Sequence, residues 1–167
     1  MRFKLIALCL LYFVLTSSAH ALIGIGMLGA AYNSGGTTNL GYGLECELPL
    51  PILPFMQTRL EGIFIPGSGY TAIPINIKET YNFPLTPFFV GFGLGLVLYN
   101  RSDAGFTAPT GLNYNGFVGY EQKFTPINSW FVQVGYEAMK IDYKIGSISY
   151  ATDFSGASVK GGVRLGI

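Results

Sequence analysis

Along residues 40 to 48 apolar and polar positions alternate without a break. Leu40, Tyr42, Leu44, Cys46 and Leu48 share one parity, and Gly41, Gly43, Glu45 and Glu47 share the other. A period of two marks a β-strand with one apolar face. The split returns in residues 112 to 124, where Leu112, Tyr114, Val118, Tyr120 and Phe124 oppose Asn113, Asn115, Gly119, Glu121 and Lys123. At 130 to 138, Trp130, Val132, Val134, Tyr136 and Ala138 oppose Gln133, Gly135 and Glu137. At 88 to 98, Phe88, Val90, Phe92, Leu94, Leu96 and Leu98 oppose Gly91, Gly93 and Gly95. Past residue 21 no helical period lasts the roughly ten positions that a helix needs.

Turn-forming residues cut the chain into eight such strands, at 22–32, 37–48, 55–65, 70–83, 88–99, 111–124, 130–143 and 155–167. Two kinds of connection alternate between them. Residues 49–54, 84–87 and 125–129 are short and contain proline, whereas 33–36, 66–69, 100–110 and 146–154 are rich in Gly, Ser, Asn and Asp. An even strand count, with both ends on the proline side, is what a closed antiparallel up-and-down barrel requires. An internal repeat points the same way: Gly43, Glu45, Phe55, Gln57 and Glu61 recur 76 positions later as Gly119, Glu121, Phe131, Gln133 and Glu137. The fourth strand contains Pro74, which lacks an amide donor, and this predicts a bulge there or a strand that begins after it. Glu79 shares the parity of Ile75 and Ile77 and faces outward with them, unless that bulge shifts the phase or the residue lies at the rim.

Composition decides which face is inside. Only 11% of residues are charged and half are apolar, against the roughly 25% charged of ordinary soluble domains. The Gly-rich parity holds five acids and five bases: Glu45, Glu47, Arg59, Glu61, Lys78, Glu121, Lys123, Glu137, Lys160 and Arg164, with Gln57, Asn76, Asn113, Asn115 and Gln133 among them. A balanced set suits a narrow interior filled by its own side chains, because buried charges need partners. The apolar parity then meets lipid, and the barrel is transmembrane. Phe55, Phe83, Phe88, Phe124 and Trp130 flank the proline turns, where an interfacial girdle belongs. The alternatives are a narrow pore, for which the charged filling leaves little room, and a soluble barrel that binds a lipid or another apolar ligand, which needs the charged face outside.

Residues 1 to 21 read as a separate object. Arg2 and Lys4 precede an apolar run from Leu5 to Leu15, and Ala19-His20-Ala21 fits a small-x-small cleavage site. The apolar run is too short to span a membrane, so a cleaved signal peptide is expected, followed by one barrel domain over 22–167. Without that segment the chain keeps eight bases against nine acids, with no basic patch for nucleic acid. Cys46 is then the sole thiol, on the apolar parity, and His20, the one histidine, is gone.

That loss removes the usual general acid or base of neutral pH. Ser102, Ser129, Ser147 and Ser155 read as turn and loop hydroxyls rather than nucleophiles. Glu45 with Glu121, or Glu61 with Glu137, has the composition of a glycosidase carboxylate pair, but ion-paired barrel filling is the simpler reading. Asp142 and Asp153 hint at calcium and read better as solvated loop acids. Gly91-Phe92-Gly93-Leu94-Gly95 resembles a phosphate loop only superficially, since no helix follows. No catalytic, cofactor or metal site is expected.

In its strand parity, proline turns, leading segment and alternating last strand, the chain resembles the eight-stranded outer-membrane barrels of the OmpA/OmpX type, in the outer-membrane protein β-barrel domain superfamily. Members usually end in an aromatic residue, where this sequence has Ile167. The resemblance implies a non-enzymatic bacterial outer-membrane protein that contributes to envelope structure or surface interaction. Outer-membrane lipid and the barrel-assembly machinery are the implied partners, together with a surface partner that no motif names. The proline turns then lie on the periplasmic side.

Overall fold

A computed structural model of the chain describes residues 24–48, 56–102, 106–107, 110–145 and 147–166. The expected signal peptide lies outside the described residues. Ten strand segments form: β1 (Gly24–Ser34), β2 (Thr37–Leu48), β3 (Met56–Gly67), β4 (Tyr70–Asn82), β5 (Phe88–Arg101), β6 (Phe106–Thr107), β7 (Thr110–Lys123), β8 (Asn128–Ile145), β9 (Ile148–Asp153) and β10 (Gly156–Gly166). Each neighbour pair is antiparallel, and β10 pairs with both β8 and β1, so the sheet closes on itself. The barrel wall is β1-β2-β3-β4-β5-β7-β8-β10, which makes eight strands. Closure leaves the wall without an open edge, the condition for crossing hydrocarbon with strands. At one end Gly35 and Gly36 take φ of 56° and 83° between the paired Ser34 and Thr37, the left-handed two-residue turn that a tight hairpin needs.

Two stretches that the sequence assigns to long loops contain strand. β6 pairs with the far end of β8, and β9 pairs with β8 from Lys140↔Asp153 to Ile145↔Ile148. The β8–β9 register continues that of β8–β10, so β9 and β10 are one run interrupted at Phe154 and Ser155. At the interruption the Phe154 amide donates to the Met139 carbonyl (2.9 Å) and the Met139 amide donates to Ser155 Oγ (2.9 Å). The segment 146–154 is therefore mostly one arm of a hairpin that stands beyond the barrel. Ile148, Tyr150 and Thr152 do alternate with Ser149, Ala151 and Asp153, but Ser, Thr and Asp also read as turn formers, which masks the period.

The fourth strand corrects a second expectation. β4 has no bulge and does not start after Pro74: the β3–β4 pairs on either side of the proline keep one register. The β4–β5 ladder runs unbroken through Pro74↔Val97. Only the ladder toward β3 is interrupted, opposite Ile63 and Phe64, so the missing amide costs about one hydrogen bond, ~1 kcal/mol, rather than the strand. With the phase unshifted, Glu79 stays on the outward parity, three residues from the end of β4.

Burial alternates along the wall. Met27, Leu40, Leu44, Phe92, Leu94, Val118 and Val134 face outward and are exposed. Glycines on the inward parity make room for larger neighbours: Phe89 and Phe117 pair across strands with Gly119 and Gly91, and a Cβ at either glycine would collide with the opposing ring. The two rings meet edge to face, with centroids 6.2 Å apart. Gly91→Val should therefore destabilise the barrel by about 1–3 kcal/mol through overpacking. Gly29→Val, at an outward position with no atom within 4 Å of the added Cβ, should not. Urea unfolding followed by Trp130 fluorescence checks both.

Candidate functional site

The inward side chains form three layers. Nearest the proline turns, Arg164 of β10 reaches two carboxylates, Glu45 of β2 and Glu121 of β7. Arg59 of β3 lies beside the same group, 3.6 Å from Glu121 and 3.9 Å from Glu47, and donates to Gln57 and to Thr80 Oγ1 (3.3 Å). Ser129 Oγ donates to Glu121. The Arg164 guanidinium also lies over the Phe131 ring, 3.7 Å from its centroid.

The middle layer is organised by Glu61. Its two carboxylate oxygens accept from Lys160 Nζ (2.8 Å) and Lys78 Nζ (2.9 Å). Lys160 also pairs with Glu137 at 2.9 Å, so one ammonium joins two carboxylates. Neutral amides complete the shell: Asn76 donates to Glu61, Gln133 accepts from Lys78, and Asn113 donates to both Glu137 and Asn76. Lys78 and Lys160 are fully buried together with Glu61. A buried ion costs several kcal/mol to desolvate and is tolerated only when its partners are this complete.

The layer at the other end is apolar and aromatic. Ile63, Ile65, Ala72, Val97, Met139 and Ile141 fill the bore and are buried. Above them Tyr70, Tyr99, Tyr143 and Phe154 pack with centroids 5.4–5.9 Å apart. Tyr70 donates to Asn39 Oδ1 (2.8 Å), and Arg101 donates to the Tyr143 hydroxyl (3.1 Å). Sequence reading does not single out this plug. Its signal is that both parities turn apolar at once, in Ile63-Phe64-Ile65 and again in Leu96-Val97-Leu98-Tyr99, the pattern of a strand buried on both faces.

Of the ten charged residues that the sequence assigns to the interior, Glu45, Arg59, Glu61, Lys78, Glu137, Lys160 and Arg164 are buried, and Glu47 and Glu121 are half-buried at the mouth. The structure brings these nine together. Lys123 is a correction: it shares their parity but is the last residue of β7, where the wall ends, and it is exposed. Each candidate carboxylate pair is bridged by one cation of the last strand, Glu45 and Glu121 by Arg164, Glu61 and Glu137 by Lys160. The repeat at an offset of 76 thus has a physical content: it supplies two carboxylates for each of two cations. Among the described residues no three His, Cys, Asp or Glu side chains are placed to hold a metal ion. Asp153, on the hairpin, is held below the usual carboxylate range by hydrogen bonds from Ser155.

Outward, Phe88 lies edge-on to Tyr120 (5.5 Å), Tyr120 is tilted against Trp130 (5.4 Å), and Phe83 and Phe124 are exposed at the same end. Phe55 lies outside the described residues. Charge inside, aliphatic side chains outside and a ring of aromatics at one rim define an eight-stranded antiparallel transmembrane β-barrel. Among solved structures the chain is similar to Neisserial surface protein A (NspA), with a TM-score of 0.60 and 14% identity over 87% of this chain and 96% of that one, a likeness of fold. A chain from "Asymmetric conductivity of engineered proteins" aligns with 9% identity over 88% of this chain and 99% of that one, at a TM-score of 0.13, which carries no argument. No protein-family model matches the chain, and no curated protein matches it by sequence.

Removing the central carboxylate leaves two buried ammonium groups short of a partner. Glu61→Leu should cost about 3–5 kcal/mol in urea unfolding, and adding Lys78→Met should recover part of that loss, since an apolar pair replaces a broken ionic one.

Proposed function

We propose that this chain is a non-enzymatic integral protein of a bacterial outer membrane that contributes to envelope structure or presents its external end to a surface partner. In this reading residues 1–21 direct export and are cleaved, the barrel-assembly machinery inserts the rest, and the short-turn end faces the periplasm. The observation that carries it is the segregation of charge: nine ionised groups are paired within the bore, while the outward wall is almost wholly apolar. A soluble protein would have to hydrate that wall.

The pairing of the inward carboxylates supports a role without catalysis. Four of the inward carboxylates are bridged in pairs by Arg164 and Lys160, and the hydroxyls of Ser129 and Ser155 serve Glu121 and the Met139 amide. A surface role is supported by the β8–β9 hairpin, which carries exposed Ile148 and Tyr150 past the end of the barrel. The filled bore, from Arg164 up to Tyr99, speaks against conduction.

Fractionation of expressing cells, with gel migration of boiled and unboiled samples, tests the reading. The protein should sediment with outer membranes, require detergent for extraction, and migrate faster unboiled. Recovery in the soluble periplasmic fraction would exclude it.

A further inference from the structure

The outward wall carries a charge at Glu79. Among the described residues on the barrel strands below the β8–β9 hairpin, Glu79 of β4 is the single charged side chain on the outward parity. Its register is fixed on both sides, Thr58↔Glu79 toward β3 and Glu79↔Phe92 toward β5, so no slip turns it inward. Lys78, next in sequence, points the other way and is committed to Glu61. The bore therefore cannot neutralise Glu79.

One of its oxygens is provided for and the other is not. Thr58 Oγ1 donates to Oε1 at 2.7 Å, whereas Oε2 is buried and has no hydrogen-bond donor among the described residues. The residue is 8% exposed, beneath a wall whose neighbouring outward positions are Ile77, Tyr81 and Phe92. A carboxylate in apolar surroundings needs a donor for each oxygen, and charge on a lipid-facing position is costly unless it lies near an interface.

Glu79 does lie near an interface. Asn82, the end of β4, is three positions further on, which at about 3.3 Å per residue and a tilt of about 40° is roughly 8 Å of depth. Between it and the rim, Tyr81 and Phe83 form an edge-to-face pair at 5.3 Å, the kind of aromatic pair that marks the headgroup boundary. Oε2 is covered, so an incoming donor must displace the atoms over it while Thr58 keeps hold of Oε1.

We infer that Glu79 is a binding site for the ammonium group of an amine-bearing phospholipid in the leaflet at the short-turn end. The amine donates to Oε2 while Thr58 holds Oε1 and keeps the carboxylate oriented. Among the described residues no other outward position offers a counter-charge at that depth, so the site binds one headgroup at a defined place on the wall. This assignment rests on the membrane reading above.

The test uses the folded barrel in detergent micelles, given equal amounts of phosphatidylethanolamine, its N-acetylated form and phosphatidylglycerol with the same acyl chains. Retained lipid is counted by native mass spectrometry. The wild-type protein should keep the free amine about threefold over both lipids that lack a cation, and Glu79→Gln should bring the ratio close to one while still migrating as a folded barrel. Equal retention of the free and acetylated amines by the wild type, or an unchanged preference in Glu79→Gln, would overturn the assignment. If the Gln variant does not fold, the wild-type comparison of free with acetylated amine still decides. A chain that folds in water without detergent would overturn the membrane reading and this site with it.

Discussion

Two lysines meeting on the Glu61 carboxylate are the contact on which the rest of the barrel depends. A wall that faces hydrocarbon must send its charged side chains inward, and a bore of eight strands is too narrow to hydrate them as separate ions. They must neutralise one another across the bore. Glu61 does this with Lys78 from the adjacent strand and with Lys160, which lies 99 residues away in sequence and four residues beyond the start of the last strand. The amides of Asn76, Asn113 and Gln133 supply the hydrogen bonds that the ion pairs leave open.

The last strand brings half of the buried positive charge. Without β10, the charged layers of the remaining strands hold Glu45, Glu47, Glu61, Glu121 and Glu137 with Arg59 and Lys78 as the cations among them. Seating β10 delivers Lys160 and Arg164 and completes both carboxylate bridges, in the same step that pairs β10 with β1 and β8. The strand that closes the backbone ladder thus also supplies the cation of both carboxylate bridges. The repeated carboxylates of the two sequence halves make sense in that light, since each half supplies one partner to each cation.

Parity carries a great deal of this in the sequence and then runs out for identifiable reasons. A period of two shows which residues share a face, so the eight strands, the apolar wall and the inward direction of Glu45, Glu61, Lys160 and Arg164 are legible. It does not show which of them meet, because Arg164 reaching Glu45 across 119 residues depends on closure and on the stagger of the strands. It also does not show where the wall ends, which is why Lys123 falls at an exposed rim. β9 is hidden because Ser149, Thr152 and Asp153 have turn-like side chains. Pro74 misleads because a lost donor interrupts only the ladder on one side. The apolar plug around Ile63, Val97 and Ile141 escapes a search for alternation because alternation stops there.

Charge inside and lipid outside is most directly tested at the lysines. With the barrel folded in micelles, a water-soluble amine-reactive reagent should modify exposed Lys123, Lys140 and Lys144 and leave buried Lys78 and Lys160 untouched until the sample is boiled. Mass spectrometry of the digested chain reads each site separately. Modification of Lys78 and Lys160 in the folded protein, at the rate of the other three, would contradict the account.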